Sequence, residues 1–276
     1  MSLRINNNIA AFNAHRQLSM TDAMLTKSIE RLSSGFRINH AKDDVAGLSI
    51  ANSFRLEARG LRVAQQNVSQ ATALLQMAEG GANQIETIIE RLKELATSAA
   101  SGNVDSNGRA RLNDEAAQLL QEIDRIANDT KYGDSYLING ATTSLTYQIG
   151  SGNTAAEDRI TVTLQDGLLT SDLGLNSITL TSQANAQTAL ASINAALSTV
   201  NVVMGNIGAA QSRLEFAGNN LAVSVENITA SESTIRDADM AFEMVGFTRN
   251  QIMMQAGTAM LAQANMMPQV VLQLFG

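Results

Sequence analysis

Residues 61–99 read LRVAQQNVSQATALLQMAEGGANQIETIIERLKELATSA, and their spacing decides the fold. Leu61, Val68, Leu75, Ala82, Ile89 and Ala96 stand seven apart. Ala64, Ala71, Ala78, Ile85, Leu92 and Ala99 each follow three residues later. All twelve seam positions are apolar, an a/d heptad repeat held over six heptads. At 1.5 Å per residue, this predicts a helix on the order of 55 Å long. The competing reading is a long helix in a conventional bundle, whose seams are also Ala-rich. Gly80-Gly81 interrupts the run and costs roughly 1 kcal/mol per Gly relative to Ala, so tertiary packing must hold the helix there.

Such a seam needs a partner of similar length. Towards the C-terminus, Ile193, Val200, Ile207, Leu214, Leu221, Ile228 and Ile235 again stand seven apart. Ala196, Val203, Ala210, Ala217, Ser224, Ser231 and Ala238 follow each by three, so only two small Ser break the apolar seam. A single helix here spans roughly 75 Å, and the two runs are expected to pair antiparallel. Between them lie a loop, ASGNVDSN (100–107), and a helix over about 108–128. Leu112, Ala116, Leu119, Ile123 and Ile126 mark that helix at steps of four and three. DTKYGDSYLINGATT (129–143) reads as irregular. LTYQI and RITVTL then alternate β-formers with polar residues around the loop GSGNTAAED, which predicts a β-hairpin. GLNSITLTS (174–182) is a candidate short strand. The chain turns back at this hairpin.

Towards the N-terminus, residues 5–32 carry Leu18, Leu25 and Leu32 seven apart, with Ile29 beside them and Ile5, Ile9 and Phe12 extending the stripe. ERLSSGFRINHAKDDVAGLSIA (30–51) obeys neither helical run. Its Ser33, Ser34, Gly35, Asn39 and Asp43-Asp44 suit caps and turns, so it reads as a joint, with Asp43 or Asp44 capping a helix from near Val45. The last stretch, 239–276, is apolar and holds Met240, Met244, Met253, Met254, Met260, Met266 and Met267 before ending in VVLQLFG. Exposed, it would aggregate. It reads as a segment ordered by burial among neighbours, with docking on its own core as the alternative.

Composition supports long helices with thin seams: 4% aromatic residues, no Trp and one Pro. Net charge is −7 and basic residues do not cluster, which argues against nucleic acid as a partner. Without Cys there are no disulfides or thiolate metal sites. No uninterrupted apolar run approaches the roughly 18 residues of a membrane helix, so no membrane insertion is expected, and the N-terminus lacks a hydrophobic signal core. The only histidines, His15 and His40, lie in no metal or triad motif, and no Walker loop or GxSxG occurs. Asp43-Asp44 fits a cap better than a metal site. The expectation is therefore no catalytic, metal or cofactor site.

IERLSSGFRINHAKDDVAGLSIA (29–51), IIERLKELATSAASG (88–102), NDEAAQLLQEIDRIANDTKYG (113–133), ASESTIRDADMAFE (230–243) and GTAMLAQANMMPQVVLQLFG (257–276) together resemble bacterial flagellin. Only 144–185 lacks family-specific residues, so the chain resembles a short form with core domains alone. The resemblance implies a mainly α, extended, filament-forming fold: a long antiparallel coiled coil or helical bundle with a small β-hairpin region at mid-chain. It implies an inner core helix over 1–32, a spoke over 33–51, an outer core domain over 52–235 and a C-terminal inner helix over 236–276. The outer domain would hold helices at about 52–100, 108–128 and 187–235, with the hairpin region at 143–182.

It further implies a non-enzymatic structural subunit of an extracellular filament for swimming motility, exported uncleaved by the flagellar type III apparatus. Its partners would be its own copies, an export chaperone, and the filament cap and hook-junction proteins. Leu18, Leu25, Ile29 and Leu32 with Met254, Leu261, Leu274 and Phe275 are the expected inner coiled coil. Arg31, Arg37, Asp43 and Asp44 are candidates for ion pairs between subunits along the spoke. Host Toll-like receptor 5 recognition is implied at Arg91, Leu95 and Glu115, which carry the receptor-stimulating identities. A hook–filament junction protein or a flagellin-like surface adhesin are the alternatives.

Overall fold

The computed structural model describes residues 7–142, 144–164 and 167–275, with backbone alone over 268–275. The chain forms two compact units, Glu57–Glu226 and the pair of terminal segments Met1–Leu56 and Asn227–Gly276.

The unit over 57–226 is built on the two heptad runs. Helix α2 (Val45–Ala99) buries all twelve of the seam residues between Leu61 and Ala99. Helix α5 (Gln183–Arg236) buries Ile193, Ala196, Val200, Val203, Ile207, Ala210, Leu214 and Leu221. Gln211 Nε2 donates to Glu79 Oε2 at 2.8 Å, and further along α5 Gly218 faces the Val68 side chain. Rising numbers on α5 thus meet falling numbers on α2, and the pair is antiparallel. By length and composition α5 is apolar enough to cross a membrane, although no unbroken apolar run predicts this. Its buried apolar positions are those of the heptad seam, which accounts for that character.

Helix α3 (Ser106–Asp129) starts where Asp105 Oδ1 accepts the Gly108 N–H at 2.7 Å, a side-chain cap for an otherwise unpaired donor. It runs back along α2: Arg109 Nη1 donates to the Ala99 carbonyl, and Arg91 pairs with Glu115. The segment expected to be irregular holds a two-residue ladder, β1 (Lys131–Tyr132) with β2 (Ser135–Tyr136), turned at Gly133 with φ +60°. The hairpin at mid-chain is β3 (Ser144–Gln148) paired antiparallel with β4 (Arg159–Thr163), Leu145 opposite Val162 and Tyr147 opposite Ile160. A short helix, α4 (Ala155–Asp158), lies in its loop. The candidate strand at 174–182 does not form. Leu175 and Leu180 are buried, and the Leu180 N–H is taken by Asn113 Oδ1 of α3 at 2.9 Å instead of a neighbouring strand.

Gly81 has a packing reason. A Cβ there would stand 2.6 Å from Thr130 Oγ1 and 3.0 Å from Ile138 Cδ1, so the helix carries a notch into which the segment after α3 fits. Gly80 faces open space.

In the terminal unit, helix α1 (Ile9–Ser34) packs on helix α6 (Met240–Phe275). Asn8 caps α1 with its Oδ1 and uses its Nδ2 to donate to the Ala264 carbonyl. Arg31 meets Glu243 at the other end, so these helices are also antiparallel. The non-helical part of the joint runs from Gly35 to Asp44, with the expected helix beginning at Val45. Gly35, at φ +74°, ends α1 with its N–H on the Arg31 carbonyl, and α2 begins at Val45. Of the two candidate caps for α2, Asp44 fills the role: its Oδ1 accepts the Gly47 N–H at 2.9 Å.

Candidate assembly surfaces

The α1–α6 seam has a polar, small-residue character that the leucine spacing does not announce. On α1 it runs Ala11, Ala14, Leu18, Thr21, Leu25, Ser28, Leu32, at steps of three and four. Facing it on α6 are Glu243, Phe247, Asn250, Met254, Gly257, Leu261 and Ala264. Leu18, Leu25, Leu32, Met254 and Leu261 lie in this seam and are only half-buried, while Thr21 and Ser28 are buried. Ile29 is not part of it. It is 50% exposed, because the three-four register passes through Ser28 and leaves the next residue outside. The side chains of Leu274 and Phe275 lie outside the described residues.

The outer face of the same pair is apolar and uncovered. Ile9, Phe12, Met20, Met24 and Ile29 on α1 are exposed, as are Phe242, Met244, Val245, Ile252, Met253 and Met260 on α6. Phe12 and Phe242 are 76% and 77% exposed. Large apolar side chains exposed in this number mark an interaction surface.

The joint is held by contacts across the chain's two ends. Phe36 bridges Asp237, the Arg37 N–H donates to the Arg236 carbonyl at 2.7 Å, and the Ala238 N–H donates to the Gly35 carbonyl at 2.9 Å. The Arg236 guanidinium stacks 4.1 Å over the Phe36 ring, and Ile38 is buried. The four candidates for pairing between subunits all have partners within the chain. Arg31 Nη1 binds Glu243 Oε1 at 2.6 Å, Lys27 Nζ binds Asp43 Oδ1 at 2.8 Å, Asp44 caps α2, and Arg37 Nη2 donates to the Ile235 carbonyl. Lys27, with the His40 backbone N–H, holds the Asp43 carboxyl well below the usual carboxylate range. Arg37 meets a carbonyl and Asp44 a backbone N–H, neither of them a countercharge among the described residues, so both keep a charge to offer a neighbour. Phe36, Ile38, Arg236 and Glu243 were not singled out by sequence reasoning. The signal was Asp237-Ala238-Asp239, a break in the second heptad run in which Asp239 Oδ1 caps α6 through the Ala241 and Phe242 N–H groups.

The proposed receptor residues divide. Arg91 and Glu115 are on the surface, 51% and 44% exposed at the side chain, and bonded at 2.9 Å. Glu94 also binds Arg91, and the two carboxylates raise the guanidinium pKa. Leu95 lies between the two points where α3 is anchored to α2 and is 3% exposed. It therefore acts as packing beneath this surface.

The chain thus carries two long antiparallel helix pairs, one with a buried apolar seam and one with a half-buried seam. The profile of the bacterial flagellin N-terminal helical region matches residues 5–143, and that of the C-terminal helical region matches 190–275. The chain belongs to the bacterial flagellins. It is similar to flagellin of Halalkalibacterium halodurans, 40% identical over 270 residues and 98% of each chain. Flagellin of Bacillus subtilis is 38% identical, covering 99% of each chain. The crystal structure of Bacillus cereus flagellin superposes with a TM-score of 0.50 at 26% identity, over 56% of this chain and 88% of that one. As a flagellin, this chain is a non-enzymatic structural subunit that self-assembles into the extracellular flagellar filament.

Proposed function

We propose that the α1–α6 pair is the part of the subunit that copies bury in one another, forming the inner core of the filament. The observation that carries this is the half-buried seam with its uncovered apolar outer face. Residues 33–51 then serve as the spoke and 52–235 as the outer core domain. Non-identical surfaces meeting head to tail give contacts that do not close, which is how an open helical polymer arises. An apolar face of this extent needs cover before assembly, which supports an export chaperone on the C-terminal region and delivery by the type III route to a capped filament end. The test is regrowth after heat disassembly, followed by electron microscopy. Phe242→Asp should leave the free chain's urea midpoint unchanged, because the side chain is exposed, and abolish filament growth. Filaments of normal length from this variant would overturn the assignment.

We also propose that the free subunit is recognised by Toll-like receptor 5 through Arg91 and Glu115, with Leu95 shaping the surface from beneath. Support comes from the exposure of that ion pair. A reporter-cell response unaltered by Arg91→Ala would count against it.

A further inference from the structure

The methionines of this chain are distributed unevenly. Nine are exposed among the described residues, and eight of these lie on α1 and α6: Met20, Met24, Met240, Met244, Met253, Met260, Met266 and Met267. The ninth, Met77, is on α2. An exposed thioether is the substrate of two-electron oxidants. Its sulfur lone pair attacks one oxygen of hydrogen peroxide, an S–O bond forms as the O–O bond breaks, and the departing hydroxide takes the proton from the transferred oxygen and leaves as water. Methionine is oxidised to the sulfoxide and the peroxide is reduced. The product exchanges a soft apolar group for a polar, chiral one with a strong acceptor oxygen.

Location turns this chemistry into regulation. Met244, Met253, Met260 and Met267 share α6 with Phe242, Val245 and Ile252, which are also exposed, so a sulfoxide would appear within an apolar surface. Burying it against a second apolar surface without a donor costs free energy that the thioether does not. We propose that the exposed methionines of α1 and α6 are an oxidation site, at which peroxide-class oxidants convert the free subunit to an assembly-incompetent form that methionine sulfoxide reduction restores. The inference rests on the reading of α6 as an assembly surface. Packing among copies would protect the same sulfurs in a finished filament, so the sensitivity belongs to the unassembled chain.

The experiment treats free subunit and finished filaments separately with hydrogen peroxide, maps sulfoxides by peptide mass spectrometry, and measures the critical concentration for regrowth. Free subunit should take up oxygen on α1 and α6, and its critical concentration should rise about tenfold or more. Incubation with both classes of methionine sulfoxide reductase should return it to the starting value. In a variant carrying Met→Leu at 20, 24, 240, 244, 253, 260, 266 and 267, the critical concentration, whatever its starting value, should be the same before and after peroxide, and a rise like that of the parent chain would overturn the inference. Oxidised subunit that regrows at an unchanged critical concentration would overturn the inference. So would failure of the reductases to restore growth. Phe242→Asp separates the two readings: if it blocks growth while sulfoxides do not, only the oxidation inference fails.

Discussion

The two antiparallel helix pairs use the same heptad arithmetic to opposite ends. In the α2–α5 pair, Leu75, Ile85, Ile89, Leu92 and Ile193 are at or below 1% exposure, a seam filled by branched aliphatic side chains. In the α1–α6 pair the corresponding leucines are half-buried, the interleaving positions are Thr21 and Ser28, and the partner offers Asn250 and Gly257. The first seam is finished by one chain. The second is left open, with large apolar side chains exposed outside it. A heptad therefore reports that a helix has a partner, and the residues between its leucines report whether that partner is enough.

Matched truncations should break or confirm the contrast most sharply. Leu92→Ala removes a fully buried side chain and should cost about 2–5 kcal/mol in urea unfolding of the free chain. Leu18→Ala, at a half-buried position of the open seam, should cost about 1 kcal/mol or less there. Equal losses would mean the two seams are equally complete.

The adjacent glycines of α2 offer a second comparison, within the closed pair itself. Gly81→Ala drives a Cβ towards Thr130 and Ile138 and should destabilise by about 1–3 kcal/mol. Gly80→Ala meets nothing within 4 Å and should stabilise by about 0.5–1 kcal/mol. Thermal midpoints moving in the same direction would show that the notch is not what Gly81 provides.

The smallest expected effect concerns the joint. The folded-state pKa of Asp43 lies below its ordinary value of 3.8, so its stabilising contribution is complete above about pH 4 and fades as pH falls through the lowered value. Acidification below about pH 4 should speed hydrogen exchange, relative to the intrinsic rate at each pH, at the Asn39 and His40 amides, which donate to Asp43. Lys27→Met should shift that acceleration to higher pH, because Lys27 is the largest cause of the lowered pKa. An unchanged profile would remove Lys27 from the joint.

What sequence made legible follows from these contrasts. The α2 and α5 seams could be read because apolar residues at fixed spacing have one physical meaning over six heptads. The hairpin could be read because β3 and β4 alternate. Ile29 lies outside the α1–α6 seam of the single chain because steps of three and four are both allowed from Leu25, and the choice of Ser28 depends on what α6 presents. Leu95 entered only through the resemblance, and no local pattern shows that it is buried where α3 is anchored along α2. Residues 174–182 carried β-formers without a neighbour to pair with. The joint's partners come from the far end of the chain, beyond the reach of any local pattern.

Gly257 has one more effect. A Cβ there would stand 3.0 Å from Leu18 Cδ1, so the leucine seats closely against the glycine and a larger residue would push it aside. Shifting α6 by one heptad would present Asn250 or Ala264 to Leu18, and would part Asn8 from the Ala264 carbonyl and Arg31 from Glu243. The slip is keyed out at three points along the pair. Each copy therefore arrives cut to the same gauge, and an array of identical pieces accumulates no error in pitch from its own parts.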